Sequence, residues 1–240
     1  MEPRRRVAVL LAGGTGARIG VDVSAGTPKQ LLEVGGRTLL EHALRAFHSH
    51  PEVDAITLVM HAAHLEAART IVERGGYADK VTAVVAGGQT RSDSTVAALA
   101  TVGDEPCLVL VHDAARPLVS ARIISDCYAA LASYPVVNVA VETSDTIVAV
   151  DADGRVRETL DRSLLRRVQT PQGFRSEVLR EAYALAARDP DFTATDDCGV
   201  VMRYLPELPV VVVPGDERNV KVTTPVDLEV VTALLARREA

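Results

Sequence analysis

The sequence alternates short apolar runs with longer segments of helical spacing, and this alternation limits the possible folds more than any other feature. The runs are rich in β-branched residues, which is typical of strands covered on both faces of a parallel sheet. They span residues 7–11, 55–60, 81–86, 107–111, 136–141 and 210–213. Segments with helical spacing lie between them, at 38–48, 62–72, 92–101, 120–132, 175–187 and 226–237. The alternation predicts a three-layer, doubly wound α/β fold with a mostly parallel sheet.

One stretch interrupts this alternation. Residues 145–150 and 155–160 each alternate like a strand, and the sequence Asp151-Ala152-Asp153-Gly154 between them is a turn signal. This β-hairpin is highly charged and has no helix to cover it, so we expect it to project as an arm over residues 144–170. An isolated hairpin is marginally stable in water, so the arm is expected to lie on a second copy of the chain in a homodimer. The absence of repeats and linkers predicts a single domain over residues 1–240.

Composition and charge exclude several classes of function. Hydrophobic residues make up 48% and charged residues 24% of the 240 residues, which fits a folded core and excludes disorder as the main state. The net charge of -6 and the pI of about 5.5 argue against nucleic-acid and membrane partners. The three cysteines form no CxxC pair, and the apolar run at 7–12 is too short for a signal sequence or a membrane span. The expected location is the cytoplasm.

The first apolar run leads directly into a glycine-rich loop at residues 11–20, with the sequence LAGGTGARIG. Glycines allow backbone amides to approach a phosphate closely. The loop does not match the dinucleotide pattern GxGxxG, because Ile19 stands where the third glycine is needed, and no P-loop Gly-Lys-Ser/Thr follows. The second predicted strand also ends without an acidic residue, which argues against a nicotinamide-dependent dehydrogenase. Arg18 and Lys29 place two cations on this segment, which suits a triphosphate whose charge grows in the transition state.

A second group of candidate residues follows the apolar run at 107–111. Asp113 ends this strand at the edge where α/β sheets bind ligands, so it is a candidate ligand of Mg²⁺. Arg116, three residues later, is a candidate contact for a substrate phosphate. His112 is either a general base or, as we expect, a histidine that is hydrogen-bonded within the loop.

Two more segments end predicted strands. Residues 87–94 combine two glycines with the start of a helix that Ser92, Asp93 or Ser94 could cap. Lys221 leaves a short strand just before the last predicted helix, and its spacing alone is equally that of a surface lysine.

In this order, the motifs resemble the family of CTP-dependent cytidylyltransferases that act on polyol phosphates, which includes the 2-C-methyl-D-erythritol 4-phosphate and ribitol 5-phosphate enzymes. The resemblance covers nearly the whole chain, and the string LVHDAARP at 110–117 is its most specific part. It runs through residues 12–18, 27–30, 87–94, 111–117, 145–147, 160–163, 169–172 and 219–224. It implies a Rossmann-like nucleotidyltransferase fold and Mg²⁺-assisted transfer of CMP from CTP to the substrate phosphate, with release of pyrophosphate.

The resemblance also implies roles for individual residues. Arg18, Lys29 and Lys221 would neutralise the phosphates of CTP and the transition state. The positions that would hold the cytosine and ribose are Ala12, Gly13, Gly14, Thr15, Gly16, Gly88 and Ser94. Asp113 would hold Mg²⁺. The residues that would bind the polyol phosphate are Arg116, Thr146 and Arg162, the last two from the arm and across a dimer interface.

Different motifs resemble enzymes with different substrates. The glycine-loop spelling at 11–14 and Cys198 look like the ribitol 5-phosphate enzymes, whereas residues 112–117 and 158–163 look like the methylerythritol enzymes. Gln89 stands where an acidic residue is common in the family. The motifs together favour 2-C-methyl-D-erythritol 4-phosphate, with D-ribitol 5-phosphate as the alternative. A non-catalytic nucleotide-binding module is a more distant alternative, because it would have no need for three catalytic cations.

Overall fold

The computed structural model describes residues 4–14 and 28–239, and strands and helices alternate along most of this length. The strands are β1 (Arg6–Ala12), β2 (Glu33–Val34), β3 (Arg37–Thr38), β4 (Ala55–Met60), β5 (Val81–Ala86), β6 (Leu108–Asp113), β7 (Val136–Glu142), β8 (Val148–Val150), β9 (Val156–Thr159), β10 (Arg166–Arg175) and β11 (Val210–Pro214). The helices are α1 (Leu39–His48), α2 (Leu65–Arg74), α3 (Arg91–Leu99), α4 (Ala121–Ser133), α5 (Ser176–Ala186), α6 (Asp197–Tyr204) and α7 (Pro225–Glu239).

Seven of the strands form the central sheet, in the order β11-β7-β10-β6-β1-β4-β5. All neighbours pair in parallel except β10, which is antiparallel to both β6 and β7. The six predicted strands are therefore confirmed as members of one mostly parallel sheet. Short strands β2 and β3 form a separate pair, as do β8 and β9.

Helices cover both faces of this sheet because successive strand residues point to opposite sides. Ala8 and Leu10 of β1 pack in one core with α1, α2 and α4, whereas Val7 and Val9 pack in a second core with α3, α5 and α6. Phe47 of α1 is fully buried in the first core; truncating such a side chain to alanine typically destabilises a protein by about 3–5 kcal/mol. The predicted three-layer, doubly wound fold is confirmed.

The arm has different boundaries from those predicted. Its hairpin is present as β8 and β9, with Gly154 at φ +79° in the turn, but the return segment from 166 onward belongs to the central sheet as β10. The sequence hid this strand because Pro171 interrupts it, and a proline cannot donate to a neighbouring strand. The pairing with β7 shifts register between Val168 and Gln172, which accommodates the proline. The predicted arm at 144–170 therefore ends earlier than the sequence suggested.

Helix α6 and the β2–β3 pair were also absent from the sequence prediction. Among the described residues, no helix is both long enough and apolar enough to cross a membrane.

Candidate active site

The candidate residues meet at one edge of the sheet, where the parallel strands β1, β4, β5 and β6 end. Leu11 pairs with Asp113 on one side and with Val59 on the other, and Met60 pairs with Ala86. The loops that follow these strands therefore begin side by side. This is the position at which open α/β sheets bind their ligands.

Glycines bring the backbones of two of these loops close to Ser94 in α3. A Cβ atom added at Gly87 would lie 2.6 Å from Ser94 Oγ, and one at Gly88 would lie 2.2 Å from Asp93 Cβ. Only glycine fits at these two positions without displacing α3. On the facing strand end, Gly13 is close enough that an added Cβ would lie 3.6 Å from the same Ser94 Oγ.

The structure thus brings together several of the predicted nucleotide-binding positions: Ala12, Gly13, Gly14, Gly88 and Ser94. The Gly14 carbonyl also accepts a hydrogen bond from Gln30 Nε2 at 3.1 Å. Thr15, Gly16 and Arg18 lie outside the described residues. Gln89 is exposed.

A capping box starts α3 and orients its first turn. The Thr90 hydroxyl accepts from the Asp93 N–H at 3.1 Å, and the Thr90 N–H donates to the Asp93 carboxylate at 2.9 Å. Asp93 therefore contributes to the cap as the sequence suggested, with Thr90 as the N-cap residue. Ser94 Oγ donates to the Thr90 carbonyl. This arrangement fixes Arg91 at the start of the helix, facing the end of β6.

Asp113 is the centre of charge at this edge. Its Oδ2 lies 2.7 Å from Lys221 Nζ, and its Oδ1 lies 3.5 Å from Arg91 Nη2. Although burial raises the pKa of Asp113, the charges of Arg91 and Lys221 outweigh that effect and hold the pKa well below its usual range. Asp113 is consequently an ionised carboxylate at neutral pH, and Lys221 is placed at the site rather than on an unrelated surface.

Lys29 contacts the segment that carries Lys221. Its Nζ donates to the carbonyl of Val222 at 2.9 Å, while the Val222 N–H donates to the Ala115 carbonyl at 2.8 Å. Two of the three predicted catalytic cations, Lys29 and Lys221, are therefore gathered at the end of β6.

Arg116 is a buried brace behind Asp113. Its Nη1 donates to the Asn219 carbonyl at 2.8 Å, and Asn219 Nδ2 donates in turn to the Thr170 carbonyl at 2.9 Å. Arg116 thereby holds the segment that carries Lys221 against β10. Its contact with a substrate phosphate stays a prediction.

In the part of the chain that the structure describes, the two arm residues do not contact this cluster. Arg162 is exposed and donates from Nη1 to the Ser144 carbonyl at 3.1 Å, and Thr146 is exposed near the start of the hairpin. Their contribution to a site stays a prediction that requires a second copy of the chain.

The hydrogen-bond partners of His112 determine which of its ring nitrogens carries the hydrogen. Its Nε2 lies 3.0 Å from the Arg116 carbonyl, which can only accept, so Nε2 carries the hydrogen. Its Nδ1 then accepts from the Thr170 hydroxyl at 3.1 Å, and Thr170 Oγ1 accepts from the Asp113 N–H at 3.0 Å. Both ring nitrogens are occupied in holding the end of β6, so the structure supports the hydrogen-bonded role rather than the general base.

We expect His112 to make the stability of the protein depend on pH. Burial lowers the pKa of His112 to about 4, so between that value and its ordinary pKa the unfolded chain binds the proton more strongly. Stability is therefore present at neutral pH and is lost as the pH falls. From pH 7 to pH 5 this group should reduce the free energy of unfolding by about 2 kcal/mol.

Urea denaturation of the wild type and of His112→Gln at both pH values measures this contribution. All other titrating groups, including the remaining five histidines, are the same in both proteins, so the difference between the two isolates His112. An equal pH dependence in the two proteins would contradict the assignment.

The site suits Mg²⁺ only together with a phosphate ligand. No group of three or more His, Cys, Asp or Glu residues that could hold a metal occurs within 4–14 and 28–239. Asp113 offers an ionised carboxylate at the ligand-binding edge, and Mg²⁺ in proteins commonly combines one or two carboxylates with phosphate oxygens and water. The residues present therefore fit a metal that arrives with a nucleotide.

Five polar residues at this edge were given no role by the sequence analysis. They are Arg91, Thr170, Gln172, Asp197 and Asn219. Four of them stand within motifs that carry the resemblance, which is the available signal. Their partners are distant in sequence, and for Arg91 and Asp197 the separation is 106 residues. Spacing therefore could not reveal what they contact.

Comparisons with known proteins point to one family. The family described as "IspD: 2-C-methyl-D-erythritol 4-phosphate cytidylyltransferase" matches residues 6–237. A curated relative of that name from Thermobifida fusca is 52% identical over 237 residues, covering 96% of this chain and 93% of the relative. The bifunctional ribulose 5-phosphate reductase/CDP-ribitol pyrophosphorylase Bcs1 of Haemophilus influenzae is 37% identical, over 99% of this chain and 50% of that protein. Among solved structures, the 4-diphosphocytidyl-2C-methyl-D-erythritol synthase of Anaerococcus prevotii superposes with a TM-score of 0.84 at 29% identity, covering 98% of this chain and 97% of that one.

Proposed function

The chain belongs to the 2-C-methyl-D-erythritol 4-phosphate cytidylyltransferase family, and from this membership we propose that it transfers CMP from CTP to 2-C-methyl-D-erythritol 4-phosphate. It is an enzyme, a nucleotidyltransferase, and the reaction serves the non-mevalonate route to isoprenoids. The observation that carries the proposal is the 52% identity with the Thermobifida fusca relative across nearly the whole of both chains.

In the proposed reaction, an oxygen of the substrate phosphate attacks the α-phosphorus of CTP in line. A new P–O bond forms, the bond to the β-phosphate breaks, and pyrophosphate leaves with its electron pair. No covalent intermediate with the protein is required, because catalysis of such transfers is mainly positioning and charge stabilisation. Lys29 and Lys221, with Arg18, neutralise the charge that grows on the phosphates. This role is supported by two contacts near the end of β6: Lys221 pairs with Asp113, and Lys29 donates to the carbonyl of the next residue, Val222.

The nucleotide is proposed to lie along the ends of β1 and β5. The backbone of residues 12–16, with Gly88 and Ser94, holds the cytosine and ribose. The close approach of both loops to Ser94 supports this placement. Arg116, which is buried behind Asp113, is the proposed contact for the polyol phosphate.

We include Mg²⁺ in the proposal, with Asp113 as its protein ligand. When bound, the ion neutralises phosphate charge and orients the reacting oxygens. Asp113 contributes an ionised carboxylate, and Lys221 and Arg91 keep it ionised.

We also propose a homodimer in which the arm of one protomer reaches the site of its partner, each protomer being one catalytic domain. Apolar side chains on the arm are exposed, among them Val150, Val156 and Leu164, the last with 81% of its surface accessible. Such a hairpin requires another surface to cover it. Thr146 and Arg162 would then bind the polyol phosphate from the partner's arm. The proposed location is the reducing cytoplasm, which suits three cysteines that are all buried free thiols.

D-ribitol 5-phosphate is the second candidate substrate, and the 37% identity with the Haemophilus influenzae protein is the observation that favours it. A side-by-side assay of pyrophosphate release with CTP and each polyol phosphate tests the choice. We expect the methylerythritol substrate to have the higher kcat/KM by at least about 10-fold, because even a methyl group in a shaped pocket is worth about 1–3 kcal/mol. A higher kcat/KM with D-ribitol 5-phosphate would reverse the assignment, and inactivity with both would remove it.

A further inference from the structure

Arg91 joins two carboxylates that belong to different elements. Its Nη1 lies 2.5 Å from Oδ2 of Asp197, the first residue of α6, and its Nη2 faces Oδ1 of Asp113 at 3.5 Å. Asp197 is fully buried, and Tyr183 Oη donates to its other oxygen at 2.5 Å. The guanidinium is therefore anchored from behind by a carboxylate that is itself held in place.

The two cations on Asp113 differ in how firmly they are held. The Lys221 side chain is 40% exposed and reaches Asp113 from a loop, whereas the Arg91 side chain is 22% exposed and anchored on Asp197. Lysine is a flexible point charge, whereas arginine presents donors in a fixed planar fork. Lys221 is thus the partner that can leave Asp113, and Arg91 is the partner that stays.

One donor of this fork is unsatisfied. Arg91 Nη2 is buried and has no hydrogen-bond partner in the described part of the chain. Its 3.5 Å separation from Asp113 Oδ1 exceeds the 2.7–2.9 Å of a charge-assisted hydrogen bond. A buried donor without an acceptor is unfavourable, so a small rotation of the Asp113 carboxylate toward Arg91 would satisfy it. The short contact of Oδ2 with Lys221 opposes that rotation.

We propose that Arg91 is a positioning residue. It holds the Asp113 carboxylate in place by a hydrogen bond when Lys221 moves from that carboxylate to the phosphates of the nucleotide. This inference rests on the proposed function, in which Lys221 contacts the α-phosphate. Lys221 moves off Oδ2, the carboxylate turns, and Oδ1 accepts the free N–H of Arg91. Asp113 then keeps its charge and one orientation, and its Oδ2 is released to hold the Mg²⁺ that would accompany the phosphates.

Kinetic measurements distinguish this positioning role from a purely structural one, in which Arg91 would only link α3 to α6. We expect Arg91→Gln to lower kcat by about 10-fold, in the range typical of residues that orient a ligand-holding group, with little change in KM for CTP. Arg188→Gln, which removes an exposed arginine outside this cluster, is the matched control and should leave both constants unchanged. Tyr183→Phe removes the hydroxyl that holds Asp197 and leaves every charge in place. We expect it to lower kcat by a smaller factor than Arg91→Gln does.

Combining Arg91→Gln with Asp113→Asn identifies the path of the effect. If Arg91 acts through Asp113, the double variant is no slower than Asp113→Asn alone. An Arg91→Gln effect that is equally large in both backgrounds would contradict the inference. So would a folded Arg91→Gln protein with the wild-type kcat.

A structure of the wild type with CTP tests the exchange without requiring turnover. The expected result is that Lys221 has left Asp113 and that the Arg91 Nη2 to Asp113 Oδ1 distance has shortened to about 2.7–2.9 Å. Lys221 remaining on Asp113, with Arg91 still at its present distance, would overturn the proposal. If the exchange is seen but neither polyol phosphate reacts, the proposed function fails while this inference stands.

Discussion

Replacement of Lys29 by alanine is expected to slow pyrophosphate release by about 10²–10³-fold, the usual cost of removing one group that stabilises transition-state charge. Lys29 is half-buried and outside the apolar cores, and its Nζ donates to the carbonyl of Val222 in the segment that carries Lys221. Its removal should therefore affect the reaction far more than the fold. The rate is measured at saturating CTP and substrate, and thermal denaturation monitors the fold.

Lys80→Ala is the matched control for this experiment. Lys80 Nζ donates to the His50 carbonyl at 2.8 Å, a contact of the same type as the 2.9 Å contact of Lys29, but remote from the strand ends that form the site. Its turnover should equal that of the wild type. If Lys29→Ala retained near-wild-type turnover, Lys29 would have no part in the mechanism.

Mixing two inactive variants, Lys29→Ala and Arg162→Ala, is expected to restore activity if the sites are shared between protomers. After the subunits exchange, half of the dimers are mixed and each of these carries one complete site, so the rate should reach roughly a quarter of that of the wild type. Activity is expected to return because the two residues lie in different parts of the protomer. Lys29 lies at the sheet edge, whereas Arg162 is on the exposed arm and, within residues 4–14 and 28–239, donates to the Ser144 carbonyl rather than to that edge.

The control mixes Lys29→Ala with Lys221→Ala. Both residues serve the same edge of one protomer, so every site in the mixture remains defective and no activity should return. Recovery in the control as well, or its absence from both mixtures, would contradict the shared site. A protein that sediments as a monomer at full activity would contradict it too.

The strands that run parallel in the centre of the sheet were predictable because burial on both faces leaves a continuous apolar signal in the sequence. β1, β4 and β6 are fully buried along nearly all of their length, and the prediction placed them within one or two residues. β10 was not predictable in this way. Its first residues are exposed and charged, Pro171 interrupts its middle, and only its pairing with β6 and β7 makes it a central strand.

The candidate site, too, was predictable from the sequence only in part. Asp113 and the glycines at 13–14 and 87–88 could be placed from the sequence, because the carboxyl ends of parallel strands meet at one edge and glycine permits close approach there. The contacts of Arg91 with Asp113 and Asp197 could not be anticipated, since they depend on where α3 and α6 pack on the sheet.

The amino-acid pattern by itself thus determined six strands of the central sheet and six of the helices, which edge of the sheet carries the polar residues, and which residue types are available there. These properties depend on local periodicity and on the polarity of each side chain. The tertiary structure alone decided that Lys221 and Arg91 share Asp113, that Arg116 braces the segment before Lys221, and that both ring nitrogens of His112 are occupied. Hydrogen bonds and ion pairs require separations of about 3 Å between particular atoms, and only the packing of distant segments brings those atoms together.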